Sequence, residues 1–209
     1  MTSNLLLNRF NYFSLLILFI SLTACTSVTT QPAQFTPTQL NNAARAQQAQ
    51  MRMISNWTIR GRIAVQMAQQ GGSASVFWKQ QGQNYAMEFF GPLGAGAVYL
   101  NGIPGQIDLT TSKGQHLQAA TPEKLLQQAL GWNLPITNLN YWIRGIPAPG
   151  FAGTQSFNNQ GQLAQLQQDG WQINYLNNMT ANNKVLPQYI TLVRQGLVVK
   201  IIIDSWQLS

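Results

Sequence analysis

The chain has 209 residues, of which 45% are hydrophobic and only 8% are charged, against about 25% charged residues in an average soluble protein. Five acidic residues and one histidine are few groups for acid–base or metal chemistry, and a single cysteine excludes an internal disulfide and a cysteine-based zinc site. The net charge of +7 suggests an acidic partner, but the basic residues are scattered, so no nucleic-acid surface is predicted. We therefore expect neither a cofactor nor a metal ion.

The first 25 residues have the pattern of a bacterial secretion signal. Arg9 supplies a positive charge, residues 10–20 form an apolar run, and small residues precede Cys25. Residues 22–25 match the lipidation pattern of bacterial lipoproteins, which predicts removal of residues 1–24 and acylation of Cys25 on its sulfur and then on its amine. The alternative, a plain signal peptide with an incidental cysteine, fits less well because the only cysteine stands at the cleavage position.

The residues after the cysteine indicate location and tethering. Thr26 and Ser27 follow it rather than an aspartate, which by resemblance to the known sorting rule favours the outer membrane of a Gram-negative envelope. Residues 25–37 are rich in Thr, Ser, Gln and Pro and predict an acylated N-terminus with a flexible tether. Residues 38–209 are then expected to form one domain on the periplasmic side of that membrane.

The predicted elements of this domain begin with a helix over residues 38–54, which contains no Gly or Pro and has Thr38 as its expected cap. Residues 57–67 follow, and their period-2 alternation predicts a strand with one buried face. Further strands are predicted, in chain order, over residues 73–79, 85–90, 97–100, 106–109, 115–118, 163–168, 171–176, 188–193 and 197–206. Short turns rich in Gly separate several of them, such as residues 169–170.

Two short helices interrupt the strands. Thr121, Pro122 and Glu123 have the order of a cap, a first helical position and an acid in the first turn, and Gly131 is expected to end this helix. A second helix is predicted around residues 139–143, between Pro135 and Gly145.

This order of elements predicts a mainly β protein with some α: an open, incomplete antiparallel barrel of about ten or eleven strands with helices on one side. The inward-facing residues are bulky and apolar, and they either fill the core or line a cavity for an apolar ligand. These residues are Trp57, Ile59, Ile63, Val65, Trp78, Met87, Phe89, Leu126, Leu130, Trp142 and Ile143.

The loop over residues 89–96 departs from ordinary turn chemistry. Pro92 suits the second position of a β-turn, which places Leu93 near the apex, where a polar residue or glycine is usual. Gly94 follows it. An apical leucine either folds back onto the core or projects to insert into a membrane or a partner.

No catalytic motif is present. The chain has no phosphate-binding loop, no dinucleotide motif and no zinc-protease motif. Sequence order alone leaves a catalytic triad with His116 and Asp108 open, although a lone histidine on a short polar strand is more typical of a surface residue. We therefore predict that the protein is not an enzyme.

Several short motifs occur in an order that resembles one known family. They are Arg60-Gly61, Phe77-Trp78, Pro92-Leu93-Gly94, Pro104-Gly105, Pro135-Ile136, Leu139, Trp142-Ile143, Gly145 and Pro147. With the lipidation pattern at Cys25, this order is similar to that of the LolB family of outer-membrane lipoproteins, through most of the mature chain. The chain departs from the family mainly in its Gln/Asn-rich linkers and its weakly charged surface.

The resemblance implies an open barrel of about eleven strands with a helical lid and an apolar cavity for acyl chains, and a projecting Leu93. It also implies a function: acylated lipoprotein cargo is received from the periplasmic carrier LolA and inserted into outer-membrane phospholipid, by a protein that we expect to be a monomer. Arg60, Arg62 or Lys79 are candidates to steer an acidic carrier. The alternatives are a structural envelope tether and a lipid or peptidoglycan hydrolase.

Overall fold

A computed structural model of the chain describes residues 36–67, 71–92 and 96–209. Cys25, Leu93 and Gly94 lie outside these residues, so the predictions made for them rest on the sequence. Within the described part of the chain, no helix combines the length and apolar character needed to cross a membrane.

The described residues form three helices and eleven strands. The helices are α1 (Pro37–Arg52), α2 (Pro122–Leu130) and α3 (Ile136–Trp142). The strands before the two central helices are β1 (Asn56–Gln66), β2 (Gly71–Gln81), β3 (Asn84–Phe90), β4 (Ala97–Ile103), β5 (Gln106–Thr111) and β6 (His116–Ala119). Those after them are β7 (Gly153–Phe157), β8 (Leu163–Gln168), β9 (Trp171–Ala181), β10 (Lys184–Arg194) and β11 (Leu197–Leu208).

All eleven strands belong to one antiparallel sheet. Their order is β6-β5-β4-β3-β2-β1-β11-β10-β9-β8-β7, so the first and last strands of the chain's β structure meet in the middle, where β1 pairs with β11. Strands β6 and β7 are the two edges and do not pair with each other, which leaves the sheet open. The predicted open antiparallel architecture is confirmed.

Alternation of side chains explains why one face of this sheet is covered. In β1, Trp57, Ile59, Ile63 and Val65 are buried, and Arg60 among the residues between them is exposed. Strands β2 and β3 repeat the pattern, and their buried residues pack in one core with residues of α2 and α3. The two central helices therefore lie on the apolar face of the sheet.

Glycine at position 61 is required by the pairing of the two central strands. The register of β1 against β11 shifts between Arg60 and Gly61, which is a β-bulge. A Cβ atom at position 61 would lie 2.2 Å from the carbonyl oxygen of Ile202, so only glycine permits this approach. This is a structural reason for the Arg60-Gly61 motif.

The predicted helix boundaries differ from the structure at several ends: α1 covers Pro37–Arg52 rather than 38–54, and α3 begins at Ile136 rather than near 139. The prediction of Thr38 as the cap of α1 is wrong, because Thr36 has the extended backbone of a cap and forms a capping box with Gln39. Pro37 then occupies the first helical position, which suits its fixed φ. The end of α2 is as predicted, since Gly131 adopts φ 70° in the left-handed region.

Strand β7 was missed because its sequence carries no strand pattern. Four of its five residues are exposed and only Phe157 is half-buried, so there is no alternation of apolar and polar residues to read. The strand forms by backbone pairing with β8 alone. As an edge strand it has a single neighbour, and tertiary pairing rather than side-chain pattern determines it.

Candidate functional site

The residues predicted to line an apolar cavity all belong to the one hydrophobic core. Ten of the eleven are buried, and Leu130 is half-buried against the others. Six of them surround an internal void between the sheet and α3: Ile59, Ile63, Trp78, Met87, Phe89 and Ile143. The void measures about 10 Å³, which is room for no more than one water molecule. The lining is therefore assembled and closely packed.

Four further residues complete the lining of the void and were missed by sequence reasoning. Val76 and Ile201 come from β2 and β11, and Ile136 and Leu139 come from α3. The sequence could have identified them, because Val76 and Ile201 fit the alternation of β2 and β11, and Ile136 and Leu139 share helical spacing with Ile143. The lining is apolar on both sides, so it has no group for acid–base chemistry.

The remaining predicted residues pack elsewhere in the core. Trp57 lies between Trp78 and Trp206, with ring centroids at 5.0 and 5.4 Å, and so joins β1 to β2 and β11. Trp142 at the end of α3 donates from Nε1 to Oε1 of Gln168 at 2.7 Å. Through these contacts Trp57 and Trp142 position the sheet and α3 around the void, but neither residue lines it.

The C-terminal end of α3 is held by buried polar contacts. Gln168 is buried in β8 and makes four hydrogen bonds, which reach Trp142, both backbone groups of Ala148, and the carbonyl of Phe151. The hydroxyl of Tyr175 donates to the carbonyl of Trp142 at 2.9 Å. Burial raises the pKa of Tyr175 above its usual range, so this hydroxyl keeps its proton.

The same end of α3 is joined to α1 by a buried arginine. The guanidinium of Arg144 donates to the carbonyls of Met51, Ile54 and Asn140. Burial lowers the pKa of Arg144, and the nearby Arg52 adds to that direction while Tyr141 opposes it. Its charge faces the carbonyl end of α1, where a cation is favoured by the helix dipole.

The N-terminal end of α3 has fewer attachments. Glu123 of α2 accepts a hydrogen bond from the backbone N–H of Thr137 at 3.0 Å, and Asn138 donates to Asp169 at 2.9 Å. The carboxylate of Glu123 meets the N–H groups at the start of α3, where negative charge is favoured. Helix α2 and the start of α3 therefore depend mainly on apolar packing against the sheet.

A surface groove of about 370 Å³ adjoins the void. Trp78 and Ile136 line both spaces, so the groove ends on the apolar interior. It lies between α2, α3 and the turns at residues 82–83 and 104–105. Two larger depressions, of about 710 and 590 Å³, lie near the turn at residues 169–170 and share no lining residue with the void.

The basic residues predicted to steer a partner lie on the other face of the sheet. Arg60, Arg62 and Lys79 are all exposed and alternate with core residues. Arg62 forms an exposed ion pair with Asp204 at 3.1 Å, and Arg60 lies over the ring of Phe77. A partner that docks on the helical side of the sheet would not contact them.

The triad left open by the sequence does not form. Nδ1 of His116 is 3.0 Å from the hydroxyl of Thr110, and Asp108 accepts hydrogen bonds from Gln106 and Gln118 instead. Within residues 36–67, 71–92 and 96–209, no three metal-ligating side chains come together.

Comparison with known proteins assigns the family. The family model described as outer membrane lipoprotein LolB matches residues 55–206. The outer-membrane lipoprotein LolB of Pseudomonas savastanoi pv. phaseolicola is 36% identical over 198 residues, which is 93% of each chain. That of Pseudomonas fluorescens is 38% identical over 154 residues, or 74% of this chain and 75% of its own.

A solved structure supports the fold alone. A protein of the DUF1329 family from Desulfovibrio piger superposes with a TM-score of 0.50 at 8% identity, over 82% of this chain and 92% of that protein. The family model and the relatives show more than the fold, because the model matches residues 55–206 and the relatives are more than 30% identical over most of the chain. The chain therefore belongs to the LolB family, and it is a lipid-anchored protein of the outer membrane that takes part in lipoprotein localisation and is not an enzyme.

Proposed function

We propose that this protein accepts acylated lipoproteins from the periplasmic carrier LolA and inserts them into the inner leaflet of the outer membrane. It acts as a monomer and takes the acyl chains of its cargo into the apolar interior between the sheet and helices α2 and α3. The observation that carries this proposal is the unbroken apolar lining of the void, formed by both the sheet and α3.

The void of about 10 Å³ must expand to hold an acyl chain. Arg144, Gln168 and Tyr175 fix the C-terminal end of α3, whereas α2 and the start of α3 rest on apolar contacts and two polar attachments. Apolar contacts between a helix and an acyl chain can replace those between the helix and the sheet at little net cost. Expansion therefore proceeds by movement of α2 and the start of α3.

The hydrophobic effect supplies the free energy that moves acyl chains from the carrier to this protein and then to the membrane. Exposing one 16-carbon acyl chain to water costs roughly 12 kcal/mol at ~0.8 kcal/mol per CH₂ group, so the chain needs an apolar shelter at every stage. Transfer without ATP requires only that this interior binds acyl chains more tightly than LolA does, and that the membrane binds them more tightly still.

Leu93 and its neighbours Pro92 and Gly94 form the membrane insertion loop in this proposal. The loop follows β3, whose Phe89 contributes to the lining, and the turn pattern of its sequence predicts an apolar residue near the apex. Contact of Leu93 with the inner leaflet would lower the barrier to release of the acyl chains.

The decisive experiment is depletion of the protein in its native cell. Lipoproteins should accumulate on the soluble LolA carrier, with their acyl chains intact. A structural tether predicts that they reach the outer membrane as before, and that result would contradict the proposal.

Uptake of an apolar fluorescent probe by the purified protein tests the interior directly. Wild-type protein should take up the probe saturably. Val76→Phe adds bulk beside the void and should lower that uptake, whereas Val193→Phe, the same change at an exposed site in β10, should not. Equal uptake by the two variants would argue against binding in this interior.

A further inference from the structure

Two buried polar atoms belong to residues that line the groove beside the void and have no hydrogen-bond partner among the described residues. They are the hydroxyl oxygen of Tyr85 and Oδ1 of Asn140. Such atoms lower the stability of the fold, because a buried polar group without a partner loses its hydrogen bonds to water and forms none in the protein. Only four buried side-chain polar atoms in the described chain lack a partner, and two of them belong to residues that line this groove.

The position of the Tyr85 hydroxyl is built into the sheet. Tyr85 in β3 lies opposite Gly102 in β4, and its ring crosses the space that a side chain at position 102 would fill. A Cβ atom at position 102 would lie 2.2 Å from Cζ and 2.5 Å from the hydroxyl oxygen of Tyr85. Glycine at position 102 therefore permits the ring to lie against the backbone of β4.

The chemistry of the hydroxyl is fixed as well. Burial and the nearby carboxylate of Glu123 raise the pKa of Tyr85 above its usual range. The group therefore remains a neutral O–H at physiological pH and is available to donate one hydrogen bond.

Asn140 supplies the complementary atom. It lies in α3, and the guanidinium of Arg144, one turn later, donates to the backbone carbonyl of Asn140 and so fixes that turn. Its side-chain oxygen can accept a hydrogen bond. Gln80 in the same groove differs, because its side-chain oxygen already accepts from Trp78 Nε1 and its side-chain nitrogen donates to the carbonyl of Gly82.

We propose that Tyr85 and Asn140 form a binding site for a secondary amide, with the Tyr85 hydroxyl donating to the amide carbonyl and Asn140 Oδ1 accepting from the amide N–H. This inference rests on the proposed function, in which the ligand is an acylated lipoprotein. The amide is then the link between an acyl chain and the N-terminal amine of the cargo's cysteine.

The groove and the void fit the two parts of such a ligand. The groove of about 370 Å³ is within the range of roughly 300–1,000 Å³ that is usual for small-ligand sites. Trp78 and Ile136 belong to both the groove and the void, so an acyl chain attached to an amide at Tyr85 points toward the apolar interior. The polar pair thereby sets how deep the chain enters.

Two probes that differ by one N–H group test the site. N-Methylhexadecanamide has the amide N–H, and N,N-dimethylhexadecanamide has a methyl group in its place. In displacement of an apolar fluorescent probe, the wild-type protein should bind the secondary amide about five-fold more tightly, as expected for one hydrogen bond. Asn140→Leu should remove this preference, and Tyr85→Phe should weaken binding of both amides about equally.

Stability separates this role from a structural one. Tyr85→Phe removes an unpartnered hydroxyl, so its thermal midpoint should equal or exceed that of the wild type, while its binding becomes weaker. Tyr99→Phe removes a hydroxyl from an exposed residue of β4 and should change neither quantity.

The outcomes distinguish the two proposals. If the wild-type protein binds both amides but does not prefer the secondary one, or if both variants keep the wild-type preference and affinity, the amide site is overturned and acyl binding stands. If neither amide displaces the probe from the wild-type protein, the proposed function fails and the amide site fails with it.

Discussion

The guanidinium of Arg144 donates a hydrogen bond of 3.2 Å to the backbone carbonyl of Met51, 93 residues earlier in the chain. Met51 lies in the last turn of α1, and Arg144 follows the end of α3, so one buried cation joins two helices that are far apart in sequence. No carboxylate accepts from Arg144 among the described residues; carbonyl oxygens alone balance its burial. Such an arrangement depends on every partner being present.

Loss of that cation should destabilise the fold. Arg144→Met removes the guanidinium donor from the carbonyls of Ile54 and Asn140 and one of the donors to the carbonyl of Met51, and we expect the free energy of unfolding to fall by about 3 kcal/mol in urea denaturation. The control is Arg62→Met, which breaks the exposed ion pair with Asp204 and should cost less than about 1 kcal/mol. Similar losses in the two variants would show that Arg144 does not join α1 to α3.

Leu139→Ala should enlarge the void and lower stability at the same time. Leu139 is buried in α3 and lines the void, so truncation should cost about 3 kcal/mol of unfolding free energy. We also expect tighter binding of a small apolar fluorescent probe, since the cavity is lined by apolar side chains. Leu176→Ala, at a residue that is 57% exposed, is the matched control, and no change is expected there in either measurement.

Stability should fall at high pH because of Tyr175. Its pKa is raised in the folded protein by burial, so below the ordinary tyrosine pKa of about 10 both the folded and unfolded states hold the proton. Above that pH only the unfolded state releases it, and the free energy of unfolding should decline by up to about 1.4 kcal/mol per pH unit. Denaturation at a series of pH values measures this slope. Tyr175→Phe should decline less steeply above pH 10, and an identical slope would exclude Tyr175 as its source.

Leu93→Glu should separate acceptance of cargo from insertion. The change places a charge at the apex of the loop that we propose contacts the membrane, where an ionised carboxylate is unfavourable. Transfer of a lipoprotein from LolA to the variant should proceed as in the wild type, and its insertion into liposomes should be slower. Leu93→Ile is the apolar control. Equal insertion rates for the Glu variant and the wild type would reject the role of this loop.

The sequence by itself determined the elements that depend on local patterns. Alternation over residues 57–67 identified the buried face of β1. Gly131 identified the end of α2, because glycine adopts the left-handed backbone conformation that ends a helix. The motif at Arg60-Gly61 was visible in the sequence, but its cause was not, since the contact that excludes a side chain at Gly61 comes from Ile202. The lipidation pattern at Cys25 and the family resemblance also required no structure.

Only the tertiary structure decided which residues meet. Strand β7 forms because its backbone pairs with that of β8. The void is completed by Ile136 of α3 and Ile201 of β11, which no local sequence pattern brings together. Tyr85 and Asn140 give no signal in the sequence as a pair. A side chain's burial and its lack of a partner depend on every element packed around it, whereas periodicity records only how a segment divides between apolar and polar faces.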